Sequence, residues 1–242
     1  MLLYFLRHGD PIYHPDSLTE KGKEQAEALS RRLLGSDIDE IYASSSVRAR
    51  ETARPLAEKL GKPIHALSWC HEDLAYHDFT VEEGGRRVWF FESEKFLSQM
   101  NNAGVASMGF DWERHPLFAG TRCGAGFRRI AGHTDNFMAT LGFLHDTENH
   151  RFIAKDPQKE REKERRIALF AHGGFGRAFL AHLLDIPLPF TSRFMHNHSG
   201  MTVVWLRPCP DGLTFPRLIM FSGDAHLYKD GPSTVFNNDF SL

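Results

Sequence analysis

Four basic side chains stand where apolar runs stop. The run Met1–Leu6 leads straight into Arg7-His8-Gly9; DEIYAS ends in Ser44-Ser45-Ser46, with Arg48 two residues on; RRIALFAH ends in His172-Gly173-Gly174. A continuous apolar run reads as a strand covered on both faces. The polar residues therefore belong at the strand ends, where a rigid scaffold holds functional loops. Two arginines and two histidines beside helix N-termini suit a compact dianion, and phosphate fits best. Guanidinium gives planar, bidentate contacts to phosphoryl oxygens and stays protonated, while the N-terminus of a helix offers free N–H groups, here around Gly173. A neutral imidazole in such a cluster is also a nucleophile. Taken singly, each residue reads as a surface ion pair or a satisfied core histidine; the weight lies in the combination.

For the four to meet, their strands must share one sheet and end on one rim. Six runs read as strands: LLYFL, DEIYAS, PIHALSW, RRIALFAH, MTVVWLR and PRLIMFS. Helical patterns alternate with several of them. In TEKGKEQAEALSRRLL, Ala26, Leu29 and Leu33 recur at helix spacing behind Thr19 as N-cap. In SVRARETARPLAEKLG, Ala49, Thr52, Ala53, Leu56 and Leu60 share a face, Ser46 caps, Gly61 stops, and Pro55 is expected to bend or restart the helix. GFRRIAGHTDNFMATLGFLH and FGRAFLAHLL are further helix candidates. The alternation predicts a three-layer, doubly wound, mainly parallel α/β sheet with helices on both faces, in one domain over 1–242. In such sheets ligands bind at the carboxyl rim. Residues 75–125 mix aromatics, glycines and charges without a period, which predicts a cap inserted over the sheet, with Trp89, Phe90, Phe91 and Phe96 forming its own core. DPQKEREKERR at 156–166 reads as a solvated helix or loop.

Composition narrows the partners. The 242 residues are 41% hydrophobic and 25% charged, with a formal net charge of −2, which is ordinary for a globular protein and gives no reason to expect a nucleic acid or an acidic membrane surface. The three cysteines, Cys70, Cys123 and Cys209, are odd in number and widely spaced, so neither a disulfide framework nor a cysteine zinc site is expected. The first apolar run is too short to span a bilayer and lacks a basic leader and cleavage site; the expected location is cytoplasmic. Oligomeric state is not readable.

At this point the motifs RHG at 7–9, LTEKGKEQA at 18–26, YASSSVRARETA at 42–53 and FAHGGFGRAFLAHLL at 170–184, with MTVVWLRP and SGDAHL near the C-terminus, resemble the histidine phosphatase superfamily, which includes phosphoglycerate mutases and many phosphatases. The resemblance touches about half the chain and leaves the 75–165 middle unmatched. It implies that His8 attacks phosphorus and forms a phosphohistidine, while Arg7, Arg48 and His172 hold the phosphoryl oxygens. It also implies an acidic proton donor after the third strand, and SWCHEDLAY offers Glu72, with Asp73 as the alternative. An alkoxide leaves poorly unless protonated, so the chemistry needs such an acid, with its pKa raised by a closed pocket. His8 must be neutral, its second nitrogen donating to a carbonyl near Gly9, and Gly9 is expected to permit a turn. No metal or organic cofactor is needed.

These readings predict a phosphomonoesterase acting on a small phosphorylated metabolite and releasing inorganic phosphate. The alternatives are a mutase, for which Arg86, Arg87, Lys95 and Arg114 would supply extra cations in the cap, and a non-catalytic phospho-ligand binder. His14, Ser17, Tyr76 and His77 are candidate substrate contacts, with Tyr13 and His71 also near the rim. His196-Asn197-His198 resembles a metal pair but lacks a nearby third ligand, so hydrogen bonding within a loop is expected. GGFG at 173–176 falls short of a dinucleotide loop.

Overall fold

Period-two burial builds the central sheet. In β1 (Leu2–Arg7), Leu3 and Phe5 join one apolar cluster while Tyr4 and Leu6 join the other, as alternate side chains of a strand must. A computed structural model describes residues 1–100 and 103–230; residues 231–242 of the expected domain, and 101–102 of the expected cap, lie outside them. After β1 come a small hairpin, β2 (Pro11–Tyr13) and β3 (Asp16–Leu18), then α1 (Glu20–Leu34), β4 (Glu40–Ser44), α2 (Val47–Leu60) and β5 (Ile64–Leu67). Thr19 accepts from Gly22 N and Ser46 from Ala49 N, so both expected N-caps form. Gly61, at φ 62°, ends α2 in the left-handed conformation that glycine adopts without cost. The helix runs on through Pro55 without restarting.

The middle of the chain holds α3 (Glu72–Phe79), the hairpin β6 (Thr80–Glu83) and β7 (Arg86–Trp89), α4 (Glu94–Met100), α5 (Ala103–Met108), α6 (Cys123–Thr140), β8 (Phe143–Asp146), β9 (Arg151–Ala154) and α7 (Pro157–Glu162). Then follow β10 (Arg166–Ala171), α8 (Gly173–Leu183), β11 (Met201–Trp205), β12 (Leu213–Thr214), β13 (Arg217–Gly223) and α9 (Ala225–Asp230). The sheet order is β13-β11-β1-β10-β4-β5. All six expected strands are in it: β1, β10, β4 and β5 run parallel, β11 is antiparallel to β1, and the edge strand β13 is antiparallel to β11. Leu29, Leu33, Ala53 and Leu56 of α1 and α2 cover one face; Phe175 and Phe179 of α8 and Phe137 of α6 cover the other.

Three expectations need correction. The candidate helix at 126–145 stops at Thr140, because Gly142 takes φ 90° and the chain turns into β8. The aromatics at 90–96 do not form a separate core: Phe90, Phe91 and Phe96 belong to one apolar cluster continuous with Leu3 and Phe5 of the sheet. The charged run at 156–166 is not wholly solvated, since Glu160 is buried and paired with Arg165.

Candidate active site

The parallel strands deliver the four basic residues to one rim. β1 and β10 are in register, Arg7 opposite Ala171, so His8 and His172 leave the sheet side by side; their ring centroids are 5.1 Å apart. Around them lies a cavity of about 1030 Å³ lined by Arg7, His8, Arg48, Glu72, Gly173 and Gly174, among others. His172 sits immediately behind the wall, fully buried, with Nε2 2.8 Å from Ser44 Oγ and 3.3 Å from Ser46 Oγ.

Gly9 has a different role from the one expected. Its φ is not positive; instead a Cβ there would stand 2.5 Å from Gly22 O. The glycine lets the chain leave β1 against the first turn of α1, and Gly9 N is held by Thr52 Oγ1 at 3.0 Å. That path brings Gly9 O to 2.7 Å from His8 Nδ1. A carbonyl only accepts, so Nδ1 carries the proton and a neutral His8 keeps its lone pair on Nε2. Burial is the main reason its pKa lies well below the usual histidine range, with His172, Arg7, His198 and Arg48 adding to it. His172 is likewise held neutral, by burial and then by Arg48.

Arg7 donates through Nη1 to His196 O, and Arg48 through Nη1 to Asp16 Oδ1 at 2.7 Å. Asp16 also accepts from Val47 N at 2.7 Å, so one carboxylate fixes both the start of α2 and the arginine on its first turn. Arg7 Nε, Arg48 Nε and His172 Nδ1 are buried with no hydrogen-bond partner. Buried polar atoms in native proteins are nearly always satisfied; Arg165 Nε and Arg166 Nε, away from the cavity, are unmet as well, so the weight rests on three unmet groups standing together at one rim.

Glu72 opens α3 and reaches across to α8. Oε1 accepts from Gly174 N at 3.0 Å and Oε2 from Phe175 N at 3.2 Å. Burial raises its pKa above the ordinary value, overcoming those two bonds and the nearby Arg48 and Arg7. Both carboxyls line the cavity, but the Asp73 side chain is 85% exposed, and Glu72 is the buried one beside Arg7 and Arg48.

His14 and Tyr76 line the cavity, with Tyr13 and His71; Ser17 and His77 do not. Ser17 Oγ instead donates to Pro15 O within the β2–β3 hairpin. His77 follows Tyr76 on α3, and a helix turns about 100° per residue, which carries it off the cavity side. The His196–His198 stretch also departs from expectation. Asn197 makes the loop hydrogen bonds, to Ser222 and Asp224, while both histidine rings are buried without hydrogen-bond partners and diverge: His196 packs on Phe5 and Phe221, His198 beside His8. Sequence reasoning did not find Asp16, Glu92 or Arg177, all of which line the cavity. Each depends on a partner distant in sequence, and no local pattern marks it.

A family model for the histidine phosphatase superfamily (branch 1) matches residues 3–79 and 151–217. The chain belongs to the histidine phosphatase superfamily. The unmatched interval holds α4–α6, both hairpin strands β6 and β7, and β8. An adenosylcobalamin/alpha-ribazole phosphatase of Salmonella typhi is 28% identical over 196 residues, covering 77% of this chain and 81% of that one. Among solved structures, a mycobacterial glucosyl-3-phosphoglycerate phosphatase superposes with a TM-score of 0.58 at 20% identity, covering 91% of this chain and 98% of its own. A phosphoserine phosphatase mutant from Entamoeba histolytica, in complex with phosphoserine, does so at 0.57 and 17%, covering 93% and 98%. The enzyme is accordingly a phosphatase of this superfamily. Among the described residues, no helix is long and apolar enough to cross a membrane.

Proposed function

We propose that the protein is a phosphomonoesterase that hydrolyses a small phosphorylated metabolite in two steps at His8. Nε2 attacks phosphorus, the P–O bond to the leaving group breaks, and the phosphoryl group rests on His8. Glu72 gives its proton to the leaving oxygen, then takes one from the water that attacks the phosphohistidine, and inorganic phosphate departs. Arg7, Arg48, His172 and the N–H of Gly173 hold the phosphoryl oxygens throughout. The observation that carries this reading is the Nδ1–Gly9 O hydrogen bond: it selects the tautomer whose lone pair is on the attacking nitrogen.

The rival readings are less well supported. A mutase returns the phosphoryl group to a bound product, which calls for cations that hold the organic part. Arg86, Arg87, Lys95 and Arg114 do not line the cavity; Arg114 pairs with Asp111 and Arg87 with Glu82, its guanidinium over the Tyr76 ring. A mere binder has no need of a carboxyl with raised pKa beside the bound anion.

The test is rapid-quench labelling with a phosphomonoester panel. Wild type should show an acid-labile phosphohistidine and release phosphate. His8→Ala should lose labelling and about 10⁴-fold or more of turnover while keeping a native circular-dichroism spectrum. Turnover surviving in His8→Ala would overturn the nucleophile; isomer instead of phosphate, from phosphoglycerate with a phosphorylated primer, would favour the mutase.

A further inference from the structure

At the far end of α8, roughly 14 Å from the active site by helix rise, a second histidine cluster has a different composition. His182, near the C-terminus of α8, faces Asp135 of α6 and His145 of β8. His182 Nε2 is 2.6 Å from Asp135 Oδ1, His145 Nδ1 is 2.8 Å from the same oxygen, and the two ring nitrogens are 3.2 Å apart. The other nitrogen of His145, Nε2, is 3.0 Å from Asp185 Oδ2, and His150 Nδ1 lies 3.3 Å from Asp185 Oδ1. His145 is 1% exposed and stacks on Phe152 at 4.2 Å; Phe127 covers His182.

With His145 neutral, protons do not satisfy this triangle. Three close contacts join one oxygen and two nitrogens. If both nitrogens carry hydrogen, both donate to the one oxygen of Asp135, and His145, which also donates to Asp185, must be a buried imidazolium. If one does not, its lone pair faces a carboxylate oxygen. Asp185 sharpens the conflict: it accepts only, so it fixes hydrogen on His145 Nε2, and in a neutral ring Nδ1 then turns a lone pair toward Asp135. A cation at the centre removes every one of these repulsions. Zinc bonds of about 2.0–2.1 Å to nitrogen and oxygen in a tetrahedron place ligand atoms about 3.3 Å apart; the two nitrogens already stand at 3.2 Å, and the triangle reaches that spacing if the Asp135 oxygen withdraws by about 0.7 Å. The Asp135 side chain is 36% exposed, so a fourth position opens to solvent.

From this geometry we infer a zinc site, with Asp135, His145 and His182 as ligands and Asp185 as the carboxylate that orients His145 through its far nitrogen. Two imidazoles and one carboxylate favour zinc over the oxygen-seeking calcium and magnesium, and a carboxylate behind a ligating histidine is a recurrent support of such sites. The ion would tie α6 and β8 to the C-terminal end of α8, the helix whose N-terminus builds the phosphate site. It takes no part in phosphoryl transfer, so the inference stands apart from the proposed reaction.

The metal-free alternative is an imidazolium at His145. Burial opposes that charge, but hydrogen bonds to Asp135 and Asp185 outweigh burial and raise the pKa to about 9. Tag-free protein, stripped with a chelator and titrated with Zn²⁺ by calorimetry and with Co²⁺ by visible absorption, separates the two. Wild type and His8→Ala should each take up one ion per chain with Kd of about 1 μM or tighter, show the strong bands of tetrahedral cobalt, and melt at a higher temperature with zinc. His145→Ala and His182→Gln should bind at least about 100-fold more weakly, and Asp185→Asn about 10- to 100-fold more weakly. No stoichiometric uptake by wild type, uptake unchanged in His145→Ala, or uptake lost in His8→Ala would each overturn the site. The wild-type titration decides even if a variant fails to fold.

Discussion

The two ends of α8 carry the same residue type in opposite electrostatic company. At the N-terminal end, His8, His172, His196 and His198 are buried mainly among arginines and one another, with Asp10, 3.5 Å from His198, the one carboxylate among the described residues close to one of their ring nitrogens, and burial lowers the pKa of all four. At the C-terminal end, His145 and His182 are bound to carboxylates on three of their ring-nitrogen contacts. The lesson is that histidine count says nothing about chemistry. Neutral imidazoles beside guanidinium make a nucleophile in an anion pocket, whereas imidazoles beside carboxylates make a cation pocket. Of the carboxyls at the anion end, Asp16 is committed to Arg48 and Val47 N, whereas burial keeps Glu72 ready to be protonated while two N–H groups of α8 hold it in place.

Glu72 is the sharpest point at which to break that contrast. Glu72→Gln keeps the shape and loses the proton. Turnover of alkyl phosphates should fall about 10²- to 10³-fold, while p-nitrophenyl phosphate, whose leaving group needs no proton, should lose far less. In wild type the alkaline limb of the rate profile should lie above the ordinary carboxylate range, following the raised pKa, and should vanish in the variant. Equal losses for both substrates would remove Glu72 from the role of acid.

Much of the anion end was legible in the sequence because its residues are tied to strand ends. Arg7, His8, Arg48 and His172 each follow an apolar run, and parallel strands must end on a common rim. What was not legible depends on contacts between distant elements. Asp16 sits in a hairpin 32 positions before Arg48, Arg177 looks like one more polar position on α8, and Gly9 works through Gly22 rather than through its own dihedral angles. The cation end was invisible for the same reason. Asp135, His145 and His182 come from two helices and a strand, and that strand, β8, was read as the tail of a helix.

The neutral histidines predict acid lability. The sign follows from their depressed pKa values: unfolded chains take up protons near pH 6.5, the native state does not, so their contribution is present above about pH 6.5 and is lost as pH falls. Each such histidine steepens the loss by at most about 1.4 kcal/mol per pH unit. Urea midpoints should fall between pH 7.5 and 5. His196→Phe, which places an aromatic ring against Phe5 and Phe221, should make the fall shallower by about one proton. A midpoint independent of pH over that range would show that these rings titrate freely in the native state.

The smallest expected effect concerns what lies beyond the phosphoryl group. Arg177 lines the cavity one turn into α8, with Nη1 on Thr191 O at 3.1 Å and its guanidinium 4.1 Å over the Phe91 ring, beside Glu92. It lines the cavity, as Arg86, Arg87 and Arg114 do not, and its guanidinium supplies a cation for a second anionic group on the substrate. Arg177→Met preserves the packing on Phe91 and removes the charge. For phosphomonoesters that also carry a carboxylate, KM should rise about tenfold, about 1.4 kcal/mol, with kcat within about twofold. For p-nitrophenyl phosphate neither constant should move. A fall in kcat for both substrates would place Arg177 in the phosphoryl site itself. A uniform loss with a lowered melting temperature would make it a support for the segment around Thr191. The split between KM and kcat therefore assigns this residue to substrate choice, to transfer or to structure.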